Sequence, residues 1–160
     1  MSITEIKVVA QDAVPKPKAS RACGECTACC QGWLTADING HKMYPGRPCF
    51  YSCQKGCSIY DERPRDPCQT FECAWKSSPA FIPEWMRPDR IGAIAVTQST
   101  NGVDYVSLIE CGKKLDSAVL SWFFQQMMQG KLQNFRYTIN GGVNFVGSKE
   151  FVEVMDSVSK

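Results

Sequence analysis

From Ile91 onward the apolar positions follow regular periods. The stretches IGAIAVT (91–97) and VDYVSLIE (103–110) are dense in β-branched residues and flank Ser-Thr-Asn-Gly. That combination predicts a β-hairpin. Residues 115–129 predict a helix, with Asp116 or Ser117 as N-cap and Gly130 just past the end. Val119, Trp122, Phe123 and Met127 share one face of it, and Leu120, Phe124 and Met128 widen that face. FRYTIN (135–140), Gly141-Gly142 and VNFVG (143–147) predict a second hairpin, after which Ser148 caps a short helix over 149–158. The expected fold class is α+β, a small single domain whose sheet carries one or two covering helices. Residues 91–160 form the scaffold of that domain.

Residues 20–90 have a different texture. CQGW, GHKMYPGRPC, KGC, ERPRDPC and SSPAFIPEWMRPD are rich in Gly and Pro and predict neither long helices nor long strands. Their hydrophobic supply is mainly aromatic: Trp33, Tyr44, Phe50, Tyr51, Tyr60, Phe71 and Trp75. Long loops seldom order themselves without a central organiser. A metal centre would be one, with the aromatics as a water-excluding shell around it; ordinary core packing is the plainer role for them. Residues 1–19, with their VP-KP-K pattern, are expected to be a flexible or extended lead-in.

Most of the composition is ordinary: 44% hydrophobic, 21% charged and a formal charge of +2 in 160 residues. The cysteine-rich stretch, residues 20–76, holds seven Lys/Arg and six Asp/Glu, so it lacks the basic stripe of a nucleic-acid binder. No apolar run approaches the roughly 18 residues of a membrane span, and no membrane partner is expected. Cysteine is the exception. Ten are present, nine between Cys23 and Cys73 and only Cys111 beyond. MSITEIKVVAQDAVPKPKAS has no basic start, apolar core and small-residue cleavage site, so a cytoplasmic protein is expected. In a reducing compartment clustered thiols favour metal ligation or redox chemistry over disulfides.

The densest run, CGECTACC, places Cys23, Cys26, Cys29 and Cys30 in eight positions. Cys-x2-Cys-x2-Cys can bring three thiolates to one point, as in the ferredoxin run for a [4Fe–4S] cluster, although the proline that follows a ferredoxin's last cysteine is absent. A single CxxC also suits zinc or a thioredoxin-like dithiol. The dithiol is the weakest reading, because no clear strand precedes Cys23 and the two extra cysteines invite misoxidation. Cys29 and Cys30 are adjacent, and adjacent side chains diverge in helices and strands alike. Both reaching one ion would require strain, which hints at two sites.

Downstream, GRPCFYSCQKGCSIYDERPRDPCQTFECAW supplies Cys49, Cys53, Cys57, Cys68 and Cys73. The order CxxCxxCC, PC, GCSIYDERP, PCQTFECAW resembles the cysteine-cluster family called CxxCxxCC or YkgJ-like, described as a putative zinc- or iron-chelating domain. The resemblance spans residues 20–76. It implies eight metal ligands: Cys23, Cys26, Cys29, Cys30, Cys49, Cys57, Cys68 and Cys73. The family's usual Arg after the Cys68-type position is Gln69 here, and Cys53 has no clear family counterpart. Eight thiols at four each would permit two centres. An iron–sulfur cluster of the [4Fe–4S] kind is favoured over zinc, because structural zinc sites seldom use so many thiols.

Other constellations are weaker. His41, the only histidine, reads as a loop surface residue, Asp61-Glu62 with Arg63 and Arg65 as a surface ion-pair turn, and Cys111 as a small buried hydrophobe. Gly112-Lys113-Lys114 lacks the rest of a phosphate loop. No catalytic residue is assigned. The functional expectation is a structural or partner-binding metalloprotein; its alternatives are an electron carrier or accessory redox subunit, and a disulfide-stapled protein.

Overall fold

A computed structural model describes residues 21–159 apart from Gly24, Glu25, Lys55 and Gly112. The expected lead-in, 1–19, lies outside the described residues. The first half is a series of short pieces. A 3-10 turn, Ala28–Cys30, leads to the hairpin β1 (Ala36–Ile38) and β2 (His41–Met43). Asn39 and Gly40 both take positive φ at its turn, and the Asp37 carboxylate accepts the Gly40 N–H at 2.7 Å. A second, smaller hairpin follows, β3 (Ser52–Cys53) with β4 (Gly56–Cys57). Turns at Tyr60–Glu62 and Arg65–Gln69 precede the one-turn helix α1 (Ala74–Ser77). A turn at Glu84–Met86 then leads to α2 (Pro88–Ile91), where Pro88 opens the helix and Gly92, in the left-handed region, closes it. As the spacing of prolines predicts, no element among the described residues of this half exceeds the five residues of Arg65–Gln69.

The second half follows the predicted order, with small shifts at the boundaries. β5 (Ala93–Thr100) and β6 (Val103–Glu110) pair antiparallel around Asn101-Gly102, both at positive φ. Ile91 belongs to α2 rather than to the strand, and Gln98, Ser99 and Thr100 extend β5 to the turn. α3 (Ser117–Met128) is capped by Asp116, whose carboxylate accepts the Ala118 N–H at 2.9 Å. β7 (Phe135–Ile139) and β8 (Gly142–Val146) form the second hairpin around Asn140-Gly141. Ser148 caps α4 (Lys149–Val158) through the Phe151 N–H at 3.1 Å. One sheet results, in the order β5-β6-β7-β8. β6 and β7 are parallel, so α3 is the crossover between them.

Parity along the strands places the helices. Phe135 and Tyr137 point one way: Phe123 of α3 stacks on Phe135 at 4.7 Å and Phe124 meets Tyr137 edge-on at 5.8 Å. Tyr105 and Phe145, of the opposite parity by register, both meet Phe151 of α4. The two helices therefore cover opposite faces, which explains why Tyr105, Val106, Ser107 and Leu108 are all buried in succession. Met128 departs from the predicted helix face and is 88% exposed. It lies five residues past Phe123, a rotation that leaves it about 140° from the buried stripe.

The connected hydrophobic core starts at Ala74 and runs to Met155, with Trp75, Ile82, Phe123, Phe135 and Phe151 among its members. Before Ala74 the buried hydrophobic residues, among those described, are Ala28, Ile38 and Met43, and none of them joins that core. The cysteine-rich half is thus attached to the scaffold without a comparable core of its own.

Candidate metal centre

Two clasps gather the cysteines. The first is made by Arg21. Its guanidinium donates to the carbonyls of Trp75 (2.8 Å) and Pro79 (3.3 Å), pairs with Glu84 at 3.2 Å and lies 4.9 Å from the centre of the Trp75 ring. The start of the described chain is thereby held on α1, directly after Cys73. Cys26 follows on a turn closed by its N–H to the Cys23 carbonyl at 3.0 Å. Cys73 feels the charge of both Cys23 and Cys26.

The second clasp joins Cys30 to Cys49. The Cys49 N–H donates to the Cys30 carbonyl at 3.0 Å, and the Ser52 N–H to the Cys49 carbonyl at 3.0 Å. Ser52 in turn pairs with Cys57 across the β3–β4 hairpin. Cys68 lies in the field of Cys30, Cys49 and Cys57. Gly32 makes this approach feasible. At φ +84 its Cα faces the Arg47 and Pro48 backbone so closely that a Cβ would stand 2.7 Å from the Arg47 carbonyl.

Between the clasps sit Cys29 and Cys30 on the turn Ala28–Cys30, their Sγ atoms 3.9 Å apart. The hydrogen bond between them, in which either sulfur can donate, pushes the Cys29 pKa far up with help from burial. The same bond, aided by Arg63, keeps Cys30 below the ordinary thiol value against burial. Burial raises three more, Cys73, Cys23 and Cys68. Cys73 is pushed up to about 11, opposed by the amides of Lys76 and Trp75 at the start of α1. Cys23 and Cys68 are raised as well, chiefly by desolvation, with Lys76 pulling Cys23 down and Arg63 pulling Cys68 down. Lys76 is held by Glu72 at 2.9 Å. Such thiols must shed protons before they ligate, so metal uptake would release protons.

All ten cysteines are free thiols, and none is fully buried. Among the described residues, no three Cys, His, Asp or Glu side chains are drawn into the geometry of a held ion. The donor set itself fits a thiolate centre in kind and number: the eight expected cysteines fall into neighbourhoods around the two clasps, each beside a cation, Lys76 or Arg63. Cys53, kept outside the expected set, is exposed.

Three expectations need correction. The aromatics do not close a shell: Phe50 is 67% exposed, Tyr60 and Tyr44 are exposed, and Trp75 belongs to the scaffold core. On such short turns the rings gather in small local groups rather than a layer, and Tyr51 stands edge-on to both Phe50 and His41. Phe50 stacks on His41 at 3.9 Å, and Tyr60 lies 3.8 Å beneath Arg63. His41 itself is a half-buried member of β2, not a loop residue. Cys111 is not fully buried either. It follows β6, with its N–H bonded to the Gly92 carbonyl at 2.6 Å, and its thiol, raised to about 12 by burial, also feels Cys26 and Cys73. Nothing in the local sequence around Cys111 signals that neighbourhood. It arises because the end of β6 meets the start of β5, beside α1 and Cys73.

Among the described residues, no helix is long and apolar enough to cross a membrane. Comparison of the chain with family models, with curated proteins and with solved structures finds no match, so the family resemblance rests on the order of its cysteine motifs.

Proposed function

We propose that this chain is a cytoplasmic metal-binding protein whose cysteine-rich half is organised by thiolate-ligated metal, an iron–sulfur cluster ahead of zinc, and serves as a structural or partner-binding module. One observation carries the reading: nine thiols occupy a stretch whose buried hydrophobic residues before Ala74, among those described, are Ala28, Ile38 and Met43. Three side chains of that size supply little of the apolar burial that ordering some fifty residues requires. Thiolate–metal bonds would supply the missing free energy, since metal binding to such a segment is itself folding free energy. Cys23, Cys26, Cys29, Cys30, Cys49, Cys57, Cys68 and Cys73 would hold the metal. When bound, the metal contributes cross-links and, as a cluster, a one-electron redox centre. Arg21 and Gly32 position the thiols, and Lys76 and Arg63 offset their charge.

The electron-carrier reading is less favoured by the open aromatic surface, which leaves the thiols within reach of water. Anaerobic purification tests the proposal. Brown protein with iron and acid-labile sulfide in comparable amounts is the expected result. Colourless protein with stoichiometric zinc would replace the cluster by zinc, and reversible reduction without loss of metal would favour the carrier. Four or more native disulfides by mass spectrometry would overturn metal binding altogether.

A further inference from the structure

The sheet ends differently on its two sides. β5 is buried from Ala93 to Thr97 and lies against α1 and α2. β8, at the other end, pairs with β7, and among the described residues nothing bonds to its outer edge. The register fixes what that edge presents. Ile139 faces Gly142 across the two-residue turn, so Gly142, Asn144 and Val146 turn their main-chain groups to β7. The N–H and C=O of Val143 and Phe145 therefore point outward. The bond from the Val106 N–H to the Asn134 carbonyl agrees, since it turns Asn134 and Arg136 toward β6 and Phe135 and Tyr137 toward β8.

Edge strands are ordinarily kept from pairing with their own copies by a charge, a proline or a covering element. β8, Gly-Val-Asn-Phe-Val, has no charge and no proline, and its valines are 48% and 41% exposed. We infer that β8 is the contact between two copies of this chain, paired antiparallel about a two-fold axis at Asn144 so that the two four-stranded sheets become one. The strand is complementary to itself in that register. Val143 comes opposite Phe145 of the second copy, so every outward N–H meets an outward carbonyl. Both side chains lie on the α4 face, where they make a β-branched–aromatic pair on each side of the axis. On the α3 face Asn144 meets its own copy, and a side-chain amide both donates and accepts. Val146 comes opposite Gly142, which leaves it room. With no charge on the strand, a copy meets no like charge there. The contact is one short strand wide, below the size of a permanent interface, so the dimer forms reversibly with concentration. It is independent of the metal-binding reading.

Sedimentation equilibrium of the full chain tests this, under reducing conditions so that no disulfide links the copies. Wild type should show a monomer–dimer equilibrium. Asn144→Lys and Asn144→Asp each set like charges across the axis and should each be monomeric, whereas an equal mixture of the two should regain the dimer. Val143→Pro removes an outward N–H that the hairpin does not use, and it should be monomeric as well. Circular dichroism matching wild type shows that a variant is folded; should the Asn144 variants fail there, Val143→Pro reads the same edge. Wild type that stays monomeric up to about 1 mM, where a contact of millimolar Kd would be half formed, overturns the proposal. A dimer that survives both Val143→Pro and Asn144→Lys also overturns it, because the copies then meet on another surface. If the mixture stays monomeric, the axis does not pass through Asn144 and the register is wrong.

Discussion

Gly32 lies against the backbone of Arg47, so close that a Cβ on Gly32 would come within 2.7 Å of the Arg47 carbonyl carbon and oxygen. Fifteen positions apart in sequence, the two residues set how near Cys49 can come to Cys30. Gly32→Ala would meet both the overlap and the left-handed backbone, which alone costs about 1–2 kcal/mol for a residue with a side chain. Because the obstructing atoms are backbone, no rotamer change relieves the contact. The expected outcome is a loss of about 2 kcal/mol or more in a urea melt, with metal per chain falling alongside it. A Gly32→Ala protein with full metal content and unchanged midpoint would show that the close approach is not needed.

Metal removal should act on one half of the chain. The connected core runs from Ala74 to Met155 and contains none of the buried residues Ala28, Ile38 and Met43. Chelation, or oxidative loss of a cluster, is therefore expected to open residues 21–73 to limited proteolysis while a fragment containing residues 74–159 persists. Mass spectrometry of the digest would locate the cuts. Cleavage spread evenly over both halves would mean that the scaffold depends on the metal as well.

Asn134 ties three pieces of the scaffold together. It is 2% exposed, donates through its amide to the Asp104 carbonyl at 3.0 Å and accepts the Ser148 N–H at 2.9 Å. Asn134→Leu keeps most of the volume but leaves the Ser148 N–H without that acceptor at the start of α4. A buried group deprived of its partner costs about 1–3 kcal/mol. Thermal melting should fall by about 2–4 °C for each kcal/mol lost in a chain of this size. Metal per chain should not change, which separates scaffold damage from damage to the cysteine half.

The pH dependence of the scaffold has a specific contributor. Arg87 grips Asp89 with two hydrogen bonds of 2.6 and 2.7 Å, and this holds the Asp89 carboxyl below its ordinary value. A carboxylate with a depressed folded pKa adds stability that is present above its unfolded value and is lost as pH falls through the folded one. At a pair this accessible to solvent the contribution is at most about 1 kcal/mol. The stability gap between wild type and Asp89→Asn should therefore be present at pH 7, shrink below the ordinary carboxylate range and close at strongly acid pH. Urea midpoints of both proteins across that range measure it. A gap independent of pH would assign the effect to packing.

Much of the scaffold was legible because its signals are local. Asn101-Gly102 and Asn140-Gly141 take the positive φ values that tight hairpins need, and Asp116 and Ser148 bond the first free amides of their helices within three residues of themselves. The brevity of every element from Ala28 to Ile91 likewise follows from where glycine and proline fall. The density of thiols, and the awkwardness of two adjacent ones, could also be read from CGECTACC alone. Tertiary structure decided the rest, through bonds between positions far apart in sequence. The parallel pairing of β6 with β7 and the placing of α3 and α4 on opposite faces depend on register across some thirty residues. Arg21 reaches Trp75, 54 positions away, and in doing so chooses the thiols that Cys23 and Cys26 face. Cys111 comes beside Cys26 and Cys73 only because the end of β6 meets the start of β5. Local chemistry dictates the turn and the cap; which thiols become neighbours depends on long-range packing, whose partners no short window of sequence contains.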